Sequence, residues 1–268
     1  MNRKPAMTLD AHLVAGLAEH LETAELNARD VVKITDTHPG MSWDDAYAVQ
    51  DEIRRRKESR GQRSVGLKAG LTSRAKMLQM GVDTPCFGFV SDYMACADGG
   101  AIAMDRLIHP KVEAELCIVT RAPLRGPGCH VADVLAAIDF VVPGIEVIDS
   151  RYRDFRFDLK SVIADNTSAS RFVVGTRSAG GAEHDLRTLG IVMEKNGEVV
   201  ATAAGGAVLG HPAAAVAALA NHLGERGREI PAGTFIMTGG ATEAIAVAAG
   251  DSVVARFQHL GSVSVRFY

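Results

Sequence analysis

The sequence predicts an α+β fold in which a small helical N-terminal region packs on a larger β-rich domain, arranged as a sandwich or distorted barrel. Three observations support this class. Apolar residues recur at helical spacing near the N-terminus, the period changes to two from Ser64 onwards, and the strand-like runs come in blocks without regularly alternating helices. The boundary is expected at about residue 62, giving regions 1–62 and 63–268 with no linker between independent units.

Two helices are predicted in the N-terminal region. The first is indicated by leucines that recur every four residues, at Leu13, Leu17 and Leu21. The second is expected to begin at Ser42, with Asp45 in the capping-box position, although that box normally uses Glu or Gln. Gly61 is expected to end this helix, because glycine is favoured just past a helix C-terminus. The region 1–62 is therefore predicted to be mainly helical.

From Ser64 the chain is predicted to form mostly strands, because apolar residues alternate with period two. The runs lie at 65–68, 87–92, 111–119, 141–148, 171–174 and 190–200. Asn196 and Gly197 interrupt the last run and predict a type I′ hairpin, since both turn residues must take positive φ. A last helix is expected from Pro212 through 213–223, followed by strands at 234–238, 252–258 and 262–267.

The composition is typical of a globular protein and excludes several function classes. The chain has 268 residues, 47% of them hydrophobic, and a net charge of -3, so no basic excess favours nucleic acid. No apolar stretch is long enough to span a bilayer, and the N-terminus lacks the apolar region of a signal peptide. We therefore expect no membrane partner and a cytoplasmic location. The four cysteines form no C-x-x-C pair and are expected to be packed thiols.

Two carboxylates share one face of the predicted strand 111–119. Period two places Glu113 and Glu115 on the side of Cys117, while the opposite side is wholly apolar. Glu146 stands alone in a second apolar run, 140–148. Carboxylates are rarely buried unless they are paired or bound to a metal, so these three acids suggest a divalent cation site. The alternative is a solvated face of an edge strand.

Lys68 is the first candidate partner for these acids, because glycines and apolar residues surround it. It would either lie beside the metal or a substrate carboxylate, or belong to an edge strand with its ammonium in water. Thr238 ends a strand and could meet a carboxylate there, although a turn threonine is the simpler interpretation. Arg151 could bind a substrate carboxylate bidentately or belong to a solvated turn. Asp165 indicates a polar corner of the site or an Asx-type turn.

Five segments together resemble the hydratase/decarboxylase branch of the fumarylacetoacetate hydrolase superfamily, and the resemblance runs from about Leu13 to the C-terminus. The segments are GLKAGLT (66–72), HPKVEAE (109–115), GIEVIDSR (144–151), ADN (164–166) and FIMTG (235–239). The resemblance implies a mixed β-sandwich roll on which Glu113, Glu115 and Glu146 bind Mg²⁺ or Mn²⁺. It also implies that Lys68 is the active-site lysine and that Thr238 contacts substrate, with the backbone amide of Leu116 near the oxo-acid end. Arg151 and Asp165 are expected in the substrate site.

Within that branch, three segments resemble the decarboxylases: LIHPK (107–111), GPGCH (126–130) and DSRYRDFRFD (149–158). The hydratases carry an acid where this chain has Cys86. The resemblance therefore implies decarboxylation of 2-oxo-3-hexenedioate to 2-hydroxypenta-2,4-dienoate in meta-cleavage degradation of aromatic compounds. It also implies a 2-oxo acid as the small-molecule partner and association with the pathway hydratase, while a homo-oligomer stays open. The alternatives are the hydratase itself, a C–C hydrolase and a non-enzymatic scaffold.

Overall fold

The computed structural model describes residues 7–73, 77–78, 82, 84–181 and 183–268. Its α-helices in this part of the chain are α1 (Ala11–Leu26), α2 (Ile34–Thr37), α3 (Trp43–Ser59), α4 (Val131–Ala137), α5 (Leu159–Ala164) and α6 (Pro212–Gly224). Its strands are β1 (Ser64–Gly70), β2 (Cys86–Ser91), β3 (Ala95–Cys96), β4 (Gly100–Ile102), β5 (Lys111–Thr120), β6 (Ile138–Ile148), β7 (Ala169–Val174), β8 (Ala179–Gly180), β9 (Gly190–Lys195), β10 (Glu198–Ala204), β11 (Phe235–Met237), β12 (Ile245–Ala246), β13 (Ser252–Phe257) and β14 (Gly261–Phe267). No helix in the described ranges has the length and apolar character needed to cross a bilayer.

The predicted N-terminal helices are present as α1 and α3. The capping box of α3 is confirmed, because Ser42 Oγ accepts from the Asp45 amide at 3.1 Å and the Asp45 carboxylate accepts from the Ser42 amide at 2.8 Å. Gly61, with φ of 84°, follows the end of α3 as expected. The short helices α2, α4 and α5 were not predicted, since four to seven residues are too few to show helical periodicity.

The strands form two sheets, which confirms the α+β class. The larger has the order β2-β1-β11-β5-β6-β7-β3, with β12 also pairing with β5 and β8 with β6. The smaller has the order β10-β9-β13-β14-β4. Asn196 and Gly197 take φ of 55° and 84° between β9 and β10, so the predicted hairpin is confirmed. The two- and three-residue strands β3, β4, β8 and β12 are too short for the alternation to be visible in sequence.

Two main clusters of buried side chains hold these layers together. The larger includes the apolar face of β5, where Val112, Ala114, Leu116 and Ile118 are fully buried, and it extends to the second sheet and α6. The other joins α1 and α3 to α5 and β2 through residues such as Leu17, Ile53, Ile163 and Phe89. The N-terminal helices therefore pack on elements from later in the chain. The division at residue 62 stays a prediction.

Strand β5 lies between β11 and β6 in the larger sheet, and this position organises the candidate site. In its antiparallel register with β6, Glu113 faces Glu146 and Glu115 faces Gly144. Strand β1 follows on the far side of β11, and there Lys68 pairs with Met237 and Gly88. Side chains from β1, β5 and β6 can therefore meet over one face of the sheet.

Candidate active site

The three predicted carboxylates meet above β5 and β6. Glu113, Glu115 and Glu146 are only 7%, 0% and 2% exposed, and one oxygen from each lies within 4.8 Å of the others. Glu113 and Glu115 come from one face of β5, and Glu146 comes from the position opposite Glu113. The structure thus brings together the three acids that the sequence singled out, and the alternative of a solvated edge-strand face is wrong.

Lys68 supplies the positive charge beside these acids. Its Nζ lies 2.5 Å from Glu146 Oε1 and donates to the backbone carbonyl of Thr167 at 2.9 Å. The side chain is 1% exposed, and β1 is an interior strand between β2 and β11. The edge-strand alternative for Lys68 is therefore wrong, and its ammonium belongs to the site.

The chemistry of this donor set fits a divalent cation. Burial raises the pKa of Glu115, and the neighbouring Glu146 and Glu113 carboxylates raise it further. Glu115 Oε2 accepts the Gly239 amide at 2.9 Å, but Oε1 has no hydrogen-bond partner although it is buried. Glycine at position 240 keeps the approach to Glu113 open, since a Cβ there would collide with that carboxylate. Clustered carboxylate oxygens with unsatisfied lone pairs are the ligands that Mg²⁺ and Mn²⁺ prefer.

A cavity of about 650 Å³ opens beside Glu113 and Glu146, while Glu115 lies deeper. Its wall also carries Asp158, two lysines and Cys86, together with apolar side chains of Leu71, Ile148, Phe155, Phe157, Leu159 and Val162. The volume suits a small ligand. The cavity is charged near the carboxylates and apolar beyond them, so it can hold an organic acid with an unsaturated chain.

Cys86 occupies the cavity wall at the start of β2. It is 1% exposed, and burial raises the pKa of its thiol to about 12. The side chain is therefore a neutral thiol at any physiological pH. The difference from the hydratases at this position stays a prediction.

A left-handed turn after α5 closes one side of the site. Asn166, Thr167 and Ser168 have φ of 48°, 53° and 59°, which is uncommon for residues other than glycine. The Asn166 side chain holds the turn against β2, accepting the Phe89 amide and donating to the Phe89 carbonyl, both at 2.9 Å. The turn presents the Thr167 carbonyl to Lys68. Thr167 and Ser168 could not be identified as site residues from the sequence, because no residue pattern predicts a strained turn.

Arg151 and Asp165 form an ion pair outside the cavity wall. Both are buried, and the Arg151 guanidinium donates to the Asp165 carboxylate and to the Asp149 and Ala169 carbonyls, the latter two at 2.9 Å. Neither residue lines the cavity. The guanidinium of Arg151 donates to neighbouring groups, and the predicted contacts of Arg151 and Asp165 with substrate stay predictions. The pair anchors the turn that follows Asp165.

Thr238 and Leu116 lie within the sheet behind the carboxylates. The Thr238 hydroxyl donates to the Leu116 carbonyl at 2.7 Å, and both residues are fully buried. Thr238 immediately precedes Gly239, whose amide binds Glu115. The structure therefore places Thr238 beside a candidate metal ligand, and the predicted contacts of Thr238 and of the Leu116 amide with substrate stay predictions.

Comparison with known proteins identifies the family. Residues 69–268 match the family model described as fumarylacetoacetate (FAA) hydrolase C-terminal, so the chain belongs to this family and the predicted resemblance is confirmed. Among its relatives is 4-oxalocrotonate decarboxylase of Pseudomonas putida, which is 61% identical over 267 residues and is covered over 100% of both chains.

A second relative, 2-hydroxyhexa-2,4-dienoate hydratase of Comamonas testosteroni, is 36% identical over 260 residues, covering 96% of this chain and 98% of the relative. A solved structure of 4-oxalocrotonate decarboxylase from Pseudomonas putida G7, complexed with magnesium and adipate, superposes with a TM-score of 0.96. It is 61% identical and covers 98% of this chain and 100% of that chain. The predicted mixed β-sandwich roll is therefore confirmed.

Proposed function

We infer that this chain is a metal-dependent carboxy-lyase that converts 2-oxo-3-hexenedioate (4-oxalocrotonate) to 2-hydroxypenta-2,4-dienoate and CO₂, as in meta-cleavage degradation of aromatic compounds. The observation that carries this function is the 61% identity to 4-oxalocrotonate decarboxylase across both full lengths, whereas the hydratase relative reaches 36%. The buried triad of Glu113, Glu115 and Glu146 beside Lys68 supplies the site that such a reaction requires.

We propose that Glu113, Glu115 and Glu146 hold Mg²⁺ or Mn²⁺. A solved relative is complexed with magnesium and adipate, and adipate is a six-carbon diacid like the proposed substrate. When bound, the ion would supply Lewis-acid stabilisation of negative charge on the C1 carboxylate and the C2 oxygen of the 2-oxo acid.

The side chains of the cavity account for the remaining steps. As the C5–C6 bond breaks, its electron pair moves through the alkene to the C2 oxygen and CO₂ leaves. Lys68 lies in the cavity wall beside Glu146, where its ammonium can stabilise that oxyanion and donate the proton that gives the dienol. Apolar side chains such as Ile148, Phe157 and Val162 line the cavity beyond the carboxylates and offer the diene few partners for a water molecule.

The hydratase is the principal alternative, because the same triad would bind its substrate. Hydration needs a group that positions or activates water at the far end of the diene. Cys86 is a neutral thiol with a pKa of about 12 and is a weak hydrogen-bond partner for water. A C–C hydrolase would want a histidine paired with an acid, and among the described residues of the cavity wall there is no histidine.

The experiment that tests the proposed reaction is product analysis. The purified protein is incubated with 2-oxo-3-hexenedioate, with and without Mg²⁺, and separately with 2-hydroxypenta-2,4-dienoate. We expect Mg²⁺-dependent release of CO₂ from the diacid and little or no 4-hydroxy-2-oxopentanoate from the dienol. Rapid hydration of the dienol without CO₂ release would assign the hydratase. Full stability without metal, together with no turnover of either compound, would favour a scaffold.

We further propose that the protein works in the cytoplasm and associates with the hydratase that consumes its product, because a dienol tautomerises readily in water. Light scattering on gel-filtered protein, alone and mixed with a 2-hydroxypentadienoate hydratase, would detect this complex. The same measurement determines whether the chain forms a homo-oligomer. Elution of two separate, unchanged species would argue against the complex.

A further inference from the structure

Lys111 is a second lysine in the cavity wall, and the proposed reaction assigns it no role. Lys111 opens β5, two residues before Glu113 and therefore on the same face of the strand. Among the described residues of the wall, Lys68 and Lys111 are the basic ones. Lys68 is occupied by Glu146 and the Thr167 carbonyl, whereas the Lys111 ammonium lies 4.2 Å from the centroid of the Phe155 ring. An aromatic face attracts the ammonium but supplies no net negative charge, so Lys111 keeps its affinity for an anion.

On the face of the sheet that carries the carboxylates, the cross-strand pair next to Glu113 and Glu146 is Lys111 and Ile148. Across β5 and β6, Glu113 faces Glu146 and Lys111 faces Ile148. Successive side chains on one face of a strand are about 6.5–7 Å apart. The carboxyl carbons of an extended six-carbon diacid are about 6 Å apart, from standard carbon–carbon bond lengths. A diacid whose oxo-acid end lies at Glu113 and Glu146, and whose chain extends along β5 toward Lys111, would therefore bring its distal carboxylate to that lysine.

Phe155 fixes the direction of the Lys111 side chain. Asp154 and Phe155 have φ of 57° and 56°, two consecutive left-handed residues that place the ring in the cavity wall. The His109 ring packs on Phe155 with centroids 4.7 Å apart. Backbone strain of this kind persists only where surrounding structure holds it, and it often marks a functional position. The Lys111 ammonium lies over this ring, and both side chains line the cavity, so the ring positions the ammonium at the cavity wall.

Besides Glu113 and Glu146, Asp158 is the described acid of the cavity wall, and it could oppose binding of a carboxylate there. Its own oxygens are engaged away from the ligand: one accepts the Ser161 amide at 2.9 Å, and the other accepts the Thr35 hydroxyl and lies 3.6 Å from Lys33 Nζ. These hydrogen bonds and Lys33, which Asp36 shares, hold the pKa of Asp158 below its usual range despite burial. Both oxygens of Asp158 therefore have partners other than Lys111.

We propose that Lys111 is the specificity-determining residue that binds the distal carboxylate and selects diacids over monoacids. The proposal rests on the proposed function, because it assumes that the oxo-acid end lies at the carboxylate triad. The distal carboxylate loses its charge as it becomes CO₂, so Lys111 stabilises the bound diacid more than the transition state. Its removal should therefore raise KM without lowering kcat.

The test compares two inert ligands that share the 2-oxo acid end. 2-Oxoadipate has a distal carboxylate and no alkene, and 2-oxohexanoate lacks the distal carboxylate. Binding of each to the Mg²⁺-loaded protein is measured by calorimetry for the parent, Lys111→Met and Lys111→Arg. The matched control is Lys195→Met, because Lys195 lies in the smaller sheet, pairs with Asp251 and is absent from the cavity wall.

We expect the parent and Lys195→Met to bind 2-oxoadipate at least about tenfold more tightly than 2-oxohexanoate. Lys111→Met should lose that preference, because the affinity for the diacid falls while the affinity for the monoacid is unchanged. Lys111→Arg should retain most of it. Lack of preference in the parent, an unchanged preference in Lys111→Met, or equal weakening of both acids would overturn the proposal. If Lys111→Met does not fold, Lys111→Gln is measured against the same criteria. Failure of the parent to release CO₂ from 2-oxo-3-hexenedioate would instead overturn the proposed function.

Discussion

Single side chains of the triad show how the cavity concentrates negative charge. Glu115 is fully buried, one of its oxygens has no hydrogen-bond partner, and two neighbouring carboxylates help to raise its pKa. One ammonium, that of Lys68, lies against Glu146. A buried carboxylate cluster of this kind is stabilised when a cation binds, because the Coulombic attraction replaces repulsion in a poorly hydrated site.

Replacing a triad residue should therefore weaken metal binding. We expect Glu113→Gln, Glu115→Gln and Glu146→Gln each to reduce Mg²⁺ or Mn²⁺ affinity by about tenfold or more, because each removes one charged ligand while keeping its size. Calorimetric titration with Mn²⁺ measures the change. Glu194→Gln is the control, since Glu194 pairs with Arg256 in the other sheet. If all three triad variants bind metal like the parent, the site lies elsewhere.

Lys68→Met should separate turnover from metal binding. The change keeps an unbranched apolar stem and removes the ammonium, so we expect CO₂ release per folded molecule to fall about 100-fold or more. Metal affinity should not decrease, because an ammonium beside Glu146 competes with a cation for that carboxylate. Initial rates, corrected for the folded fraction by circular dichroism, give the comparison. Unchanged turnover together with lower stability would assign Lys68 a structural role only.

At the scale of one element, the start of α3 shows how a helix cap also anchors the chain before it. The Asp45 carboxylate accepts from the Ser42 amide and hydroxyl, and it also accepts the amides of Thr8 and Leu9 at 3.0 and 3.1 Å. Burial opposes ionisation of Asp45, but these hydrogen bonds outweigh it and lower its pKa to about 2. The cap therefore ties residues before α1 to the start of α3.

Asp45→Asn should lower the free energy of unfolding by about 1–2 kcal/mol at pH 7, because an amide replaces a charged acceptor in the cap. The contribution of Asp45 is complete above its unfolded pKa of about 3.9 and is lost as pH falls toward 2, since the folded pKa is the lower one. Urea unfolding at pH 7, 4 and 3 should therefore show a shrinking difference. Asp51→Asn, at an exposed position of the same helix, should change stability by less than about 0.5 kcal/mol. A pH-independent difference would contradict this account.

At the scale of the whole molecule, the Arg151–Asp165 pair connects the end of β6 to the end of α5. Arg151 spans the Asp165 carboxylate and the carbonyls of Asp149 and Ala169, so it holds the left-handed turn against the sheet. That turn presents Thr167 to Lys68, and α5 packs on the N-terminal helices. The pair therefore links the helical region, the sheet and the site.

Removing one member of this pair should leave the other buried and unpaired. We expect Arg151→Met to lower the free energy of unfolding by about 3–5 kcal/mol, and the double variant Arg151→Met/Asp165→Leu to lose less than the sum of its single changes. Chemical denaturation measures all four proteins. Arg256→Met, which breaks an exposed pair with Glu194, should cost less than about 1 kcal/mol. Strict additivity would show that Arg151 and Asp165 contribute independently.

The sequence by itself determined the elements whose patterns are local and long enough to see. The alternation in 111–119 predicted a strand with Glu113 and Glu115 on one face, and the apolar surroundings of Glu146 predicted a buried carboxylate with a partner. For Lys68 the sequence left a buried and a solvated ammonium equally open. The α3 cap and the Asn196–Gly197 hairpin were equally visible, because cap and turn geometry depends on residues only a few positions apart.

Only the tertiary structure decided which distant residues meet. The register of β5 with β6 puts Glu146 opposite Glu113, and the interior position of β1 brings Lys68 to them. Arg151 and Asp165 pair with each other and do not line the cavity. Periodicity reports which face of a strand is buried but not which strand lies beside it. Strand neighbours and the strained turn at 166–168 are determined by the packing of the whole chain, where contacts far apart in sequence outweigh local preference.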